Sequence, residues 1–269
     1  MSPAKCRPED NQCLVSIFNF KGNIMKKLIL AVAVMGAFAG SVQAQEAATP
    51  EHTFTGNLSV VSDYRFRGIS QTFNQPAVQG GFDYSHSSGF YVGNWNSNVS
   101  GNSFTDGSIE MDLYGGYKFA ITPDFAGDVG ALYYYYPGAD TAAGVSYNTT
   151  ELYAAVTYKW LTAKYSHSVS DFFAVADSKG SGYLELNAAF EVADKTTLGL
   201  HVGHQKVRHN SASDYTDYKI SLARDFGFAT IALGVTATDL DGDGLVTSPS
   251  GKSKKTADTK AILSISKAF

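Results

Sequence analysis

From residue 53 to the C-terminus the chain alternates apolar and polar side chains with a period of two, in about twelve separate runs. Successive side chains of a strand point to opposite faces, so this pattern marks strands with one apolar and one polar surrounding. In 109–119 (IEMDLYGGYKF), Ile109, Met111, Leu113, Tyr117 and Phe119 share one face. Glu110, Asp112, Tyr114 and Lys118 share the other. Residues 151–160 set Leu152, Ala154, Val156, Tyr158 and Trp160 against Glu151, Tyr153, Thr157 and Lys159. Residues 184–192 set Leu184, Leu186, Ala188, Phe190 and Val192 against Glu185, Asn187 and Glu191.

The runs are 53–68, 76–86, 89–98, 107–119, 125–136, 148–159, 162–170, 182–192, 197–207, 215–224, 228–238 and 259–269. Several exceed the ~5–6 residues usual for a strand in a soluble domain. They match the ~9–11 tilted residues with which a strand crosses a bilayer. Long and short connections alternate between them, as in outer-membrane barrels with short periplasmic turns and longer extracellular loops. The fold predicted is therefore all-β, an antiparallel transmembrane β-barrel of about twelve strands. In lipid every backbone N–H and C=O must be bonded within the protein, so the sheet has to close on itself.

Composition agrees. Charged residues are 17% of the chain, below the ~25% of an ordinary soluble domain. Tyr (16) and Phe (17) are plentiful, which suits interfacial girdles, and YYYY at 133–136 falls where an outer girdle is expected. The mean hydropathy of −0.12 excludes a helical membrane protein. Mild acidity, with a net charge of −4, excludes a basic face for nucleic acid.

The one long apolar run, LILAVAVMGAFA (28–39), follows Met25-Lys26-Lys27 and leads to Val42 and Ala44. A basic start, a short apolar core and a small-residue cleavage site define a secretory signal peptide. The domain expectation is a gene-model extension over 1–24, a signal peptide over 25–44 and the barrel over 45–269. Removing residues 1–44 takes away five basic and two acidic residues, leaving 16 and 23, and both cysteines, Cys6 and Cys13. A cysteine-free exported chain cannot be a disulfide scaffold.

SVVSDYRFRGISQT (59–72), PAVQGGFDY (76–84) and GFYVGNWNSNV (89–99) resemble the opening strands of the TorF-type porin family of proteobacteria, and the resemblance runs on to the terminal ISKAF. It implies an outer-membrane barrel acting as a porin, and it carries over no catalytic or ligand residue.

The sharpest constellation lies in the first run. With Phe54, Leu58, Val60, Tyr64 and Phe66 outward, Asp63, Arg65 and Arg67 form a lumen ladder. Such arginines either set the field of a constriction or pair with carboxylates such as Asp83 on the next strand. The lumen face also carries Glu110, Asp112, Lys118, Asp128, Glu151, Lys159, Lys164, Glu185, Glu191 and Lys219, with acids in excess. Asp239, Asp241 and Asp243 with Gly244 match the opening of a calcium loop, but position twelve is Ser250 rather than Glu. His201 and His204 fall on opposite faces of a strand, so the pair makes no chelate. In SHSVSD (166–171), Ser166 and Ser168 face away from His167, which argues against a nucleophile–base pair.

The function expected is a porin-like channel for passive diffusion of small hydrophilic solutes or ions, with mild cation preference. The alternative is a non-conducting structural or interaction barrel. No enzyme activity, resident metal or cofactor is expected. Expected partners are outer-membrane lipid and lipopolysaccharide, the barrel-assembly machinery and small solutes, with an oligomer open. Export follows the general secretory pathway.

Overall fold

The computed structural model describes residues 50–139, 146–248 and 250–269, so the expected signal peptide and its upstream extension lie outside the described residues. Twelve strands pair antiparallel into a closed barrel. They are β1 (His52–Val61), β4 (Ala77–His86), β5 (Phe90–Asn98), β6 (Ile109–Thr122), β7 (Phe125–Tyr135), β8 (Thr149–Tyr158), β9 (Leu161–Ser168), β10 (Gly182–Ala193), β11 (Thr196–Lys206), β12 (Tyr215–Asp225), β13 (Thr230–Thr238) and β16 (Lys260–Ala268). Two hairpins are not part of the wall: β2 (Arg65–Phe66) with β3 (Ile69–Ser70), and β14 (Leu245–Thr247) with β15 (Ser253–Lys255). No helix among the described residues is long and apolar enough to cross a membrane.

Closure joins the two ends of the sequence. β1 pairs with β16 from Asn57↔Ala268 to Val61↔Ser264, a shorter register than that of any other strand pair in the wall. Gly56 and Phe269 exchange both backbone hydrogen bonds at its end, at 2.8 and 2.9 Å. The Phe269 ring covers Gly56, where a Cβ would approach it to 2.6 Å.

The period-two pattern becomes two walls. Outward positions hold exposed apolar groups such as Phe54, Leu58, Val60, Leu113, Leu152, Leu184, Ile220, Leu233 and Ile265. A belt of this kind fits hydrocarbon rather than water. It is interrupted on β5, where Asn94, level with Phe82 and Leu113, and Asn96 take outward positions and bond the backbone of β4. Inward positions hold Glu110, Asp112, Glu151, Gln205 and Asp217, all buried. Inward tyrosines lie flat against the wall because glycine faces them. A Cβ on Gly93, Gly116, Gly130 or Gly203 would meet Tyr114, Tyr91, Tyr153 or Tyr183 at 2.7 Å or less.

The first strand is shorter than its sequence pattern predicts. It ends at Val61, not residue 68, and 62–76 turns into the barrel. Tyr64 and Phe66 are therefore not lipid-facing. Tyr64 is 7% exposed, and Phe66 packs edge-on to Tyr134 and Phe173. The alternation survives because both faces of this segment find partners, one aromatic and one charged. The 133–136 run also divides: Tyr133 and Tyr135 stack on the outside, whereas Tyr134 and Tyr136 are buried inside.

Candidate functional site: the inward-folded segment and the lumen

The long connections cluster at one end of the barrel, and residues 62–76 descend from that end. Gly68, at φ +81, and Arg67, at φ 46, make the tight turn of the β2–β3 hairpin. Ser70 and Thr72 donate to Asp63 Oδ1 at 2.5 and 3.1 Å, which staples the two arms together. Ser70, Gln71, Thr72 and Phe73 are all buried.

The two arginines do not form a ladder along a strand. Arg65 donates through Nε to Asp63 at 2.8 Å and through Nη2 to Asp258 at 2.8 Å, tying the segment to the last loop. Its Nη1 also reaches the Asp258 carbonyl at 2.6 Å. Arg67 spans the lumen. It donates to Glu151 on β8 at 3.0 and 2.8 Å and to Gln205 on β11 at 2.7 Å, with its guanidinium 4.0 Å from the centre of the Tyr183 ring. Burial opposes its charge, but the Glu151 carboxylate, with Tyr134 and Tyr183 beside it, more than compensates and raises the proton affinity of this guanidinium above its ordinary value. Asp83, the partner expected from the sequence, accepts from Tyr114 Oη at 2.5 Å instead. An inward-folded hairpin reaches further across the lumen than a neighbouring strand does.

On the other face of the segment, Tyr64 and Tyr136 donate to the two oxygens of Glu110 at 2.5 and 2.6 Å. Burial, then the charge of Glu110, pushes both phenols above the ordinary tyrosine range, so both remain donors. Tyr64, Trp95, Phe104, Tyr134 and Tyr136, with Phe66, Tyr147 and Phe173 against them, make one aromatic core inside the loop end. All five of the first-named residues are buried. Asp112 sits within this core, 2% exposed, and its Oδ1 has no hydrogen-bond partner.

Toward the turn end inward side chains become more exposed. Lys118 faces inward and is exposed, with its ammonium 4.7 Å from the Tyr91 ring. Asp128 accepts from Tyr91 at 2.7 Å, and Tyr91 also bonds Tyr153. Lys164 lies 3.9 Å from Glu185. His201 joins Asp217 at 2.9 Å, Asn187 at 2.7 Å and Tyr183 at 3.0 Å, a polar cluster that the sequence pattern did not single out. Its signal was the shared inward parity of Tyr183, Asn187, His201 and Asp217. Glu191 is exposed on β10. Lys159 is not in the lumen: it occupies the β8–β9 turn at φ 53, 3.9 Å from Asp124.

The calcium-loop carboxylates do not converge. Asp239 accepts from the Thr216 N–H at 2.5 Å, Asp243 pairs with Lys255 at 2.6 Å, and Asp241 starts a 3-10 turn. His204 is exposed on the outer wall while His201 is inside, and Ser166 and Ser168 are buried while His167 is exposed.

A closed twelve-strand barrel with an apolar outer wall and a polar lumen that takes in one of its own loops has the architecture of a porin. Among solved structures the chain is similar to a KdgM porin, at 9% identity and a TM-score of 0.51 over 80% of this chain and 99% of that one. It is similar also to a KdgM porin in complex with disordered oligogalacturonate, at 9% identity and a TM-score of 0.50 over 81% and 99%. These likenesses concern the fold. Residues 44–269 match the family described as bacterial protein of unknown function (Gcw_chp), and the chain belongs to that family. No curated protein sequence matches it.

Proposed function

We propose that this chain is an outer-membrane porin-like channel for passive diffusion of small hydrophilic solutes or ions, of the TorF type. It would be exported through the secretory pathway, with its short turns in the periplasm. The observation that carries the reading is the inward set of ionisable side chains inside a wall whose outer face is apolar. Asp83, Glu110, Asp112, Asp128, Glu151, Glu185, Glu191 and Asp217 exceed Lys118, Lys164, Lys219 and Lys260 on the inward positions of the strands, which supports a mild cation preference. The oligogalacturonate of the KdgM complex is a ligand of that protein. The acidic excess here favours cations and neutral solutes over polyanions.

The buried aromatic core at the loop end favours a second reading, a barrel that does not conduct while 62–76 is docked. Planar-bilayer recordings of the purified protein separate the two. Conductance with a zero-current potential of cation sign in asymmetric KCl supports the channel and its selectivity. An anion-selective potential removes the cation preference, and the absence of conductance selects the structural barrel.

A further inference from the structure

Opposite the loops, at the turn end, the outer face carries a group that the lumen does not use. Glu51, His52 and His86 each offer a ligand atom, and these atoms lie within 4.8 Å of one another. His52 on β1 and His86 on β4 stand directly across from each other in the register. The neighbouring pair is hydrogen-bonded, with Ser87 N–H donating to the Glu51 carbonyl at 2.9 Å. Pairs alternate along an antiparallel ladder, so His52↔His86 is a non-hydrogen-bonded pair, the kind in which facing side chains approach most closely. The two imidazole centroids are 5.2 Å apart.

The second nitrogen of each ring is already engaged. His52 Nδ1 lies 2.9 Å from the Tyr84 hydroxyl, and His86 Nδ1 lies 2.7 Å from the Ser88 hydroxyl. That leaves both Nε2 atoms for a metal, and His86 Nε2 is 3.5 Å from Glu51 Oε1. Hydroxyls that hold the distal nitrogen fix ring orientation in the way outer-shell partners of metal-bound histidines do. All three residues lie one outward position beyond Phe54 toward the turn end, or further, so the group sits at the watery edge of the apolar belt.

We propose that Glu51, His52 and His86 form a binding site for a first-row divalent transition ion of the zinc or copper type. Two imidazoles and one carboxylate are a donor set suited to such ions, and a fourth position stays open to water. An occupied site clasps the start of β1 to the end of β4.

The test is calorimetric titration of the purified full-length barrel in detergent with zinc chloride alone. One saturable site is expected. His52→Ala and His86→Ala should each abolish it, and His204→Ala on the outer wall should leave it intact. Tyr84→Phe should keep the site but weaken it about tenfold, by loss of an outer-shell partner. Saturable zinc binding that persists in the His52→Ala/His86→Ala double variant overturns the proposal, as does no binding by the wild type. If those variants do not fold, the electron paramagnetic resonance spectrum of copper(II) on the wild type decides. Coupling to two imidazole nitrogens supports the site, and coupling to one or none overturns it.

Discussion

Arg67→Ala is the most direct perturbation of the inward-folded segment. The Arg67–Glu151 pair is buried, with side chains 6% and 3% exposed, and Gln205 and the Tyr183 face complete the surroundings of the guanidinium. Removing one partner of a buried ion pair strands the other charge and costs about 3–5 kcal/mol. Arg67 lies on the segment and Glu151 on the wall, so this cost falls on docking rather than on strand pairing. At about 1.4 kcal/mol per tenfold, the docked-to-undocked ratio falls by roughly a hundred- to several-thousand-fold. Hydrogen exchange of the amides in 62–76 reads that ratio directly. The Arg67→Ala variant should lose protection there while β8 and β11 keep theirs. Arg67→Met combined with Glu151→Leu removes both charges and should retain most of the docking, because a buried pair replaced by apolar groups is often close to neutral. Unchanged protection in Arg67→Ala would refute the argument. So would equal loss in the single and double variants, since packing alone would then hold the segment.

Two further outcomes follow from the lumen and the wall. Asp112→Asn should leave folded yield unchanged or improve it, whereas Glu110→Gln, which weakens two short phenol bonds, should lower it; heat-modifiable gel mobility scores both. Gly116→Val drives a side chain into the Tyr91 ring and the Val129 carbonyl and should cost about 1–3 kcal/mol or more in urea titrations of the barrel, a loss partly recovered by adding Tyr91→Ala.

Most of the wall could be read from side-chain parity. Met111 and Leu113 face out and Glu110 and Asp112 face in because a strand in a two-sided environment has one way to satisfy both, and a slip of one residue would invert it. Residues 62–76 could not be read that way. Tyr64 and Phe66 alternate with Asp63, Arg65 and Arg67 as a lipid-facing strand would, and only the tertiary surroundings show that their apolar face meets Trp95, Tyr134 and Phe173. The available signal was length: a run over 53–68 is longer than the ~9–11 residues that a crossing needs. Arg67 was legible as an inward charge, but its partner was not, because Glu151 is distant in sequence and becomes a neighbour only when the sheet closes. Glu51, His52 and His86 escaped notice for a similar reason. Parity places the two histidines on one face, but only the register of β1 against β4 brings them level.

The short seam between β1 and β16 has a kinetic meaning. Every other junction of the wall joins strands that follow one another in the chain order of the wall, linked by a turn or by a loop of at most about twenty residues. This one has no turn, and residue 57 must find residue 268 across the whole sequence. Loop closure over that separation is the slowest contact the topology requires. Until it forms, β1 and β16 both expose unpaired backbone edges, which hydrocarbon does not tolerate. Closure of the wall therefore depends on five register pairs and on the two backbone bonds between Gly56 and Phe269, contacts formed by residues some two hundred positions apart in the sequence.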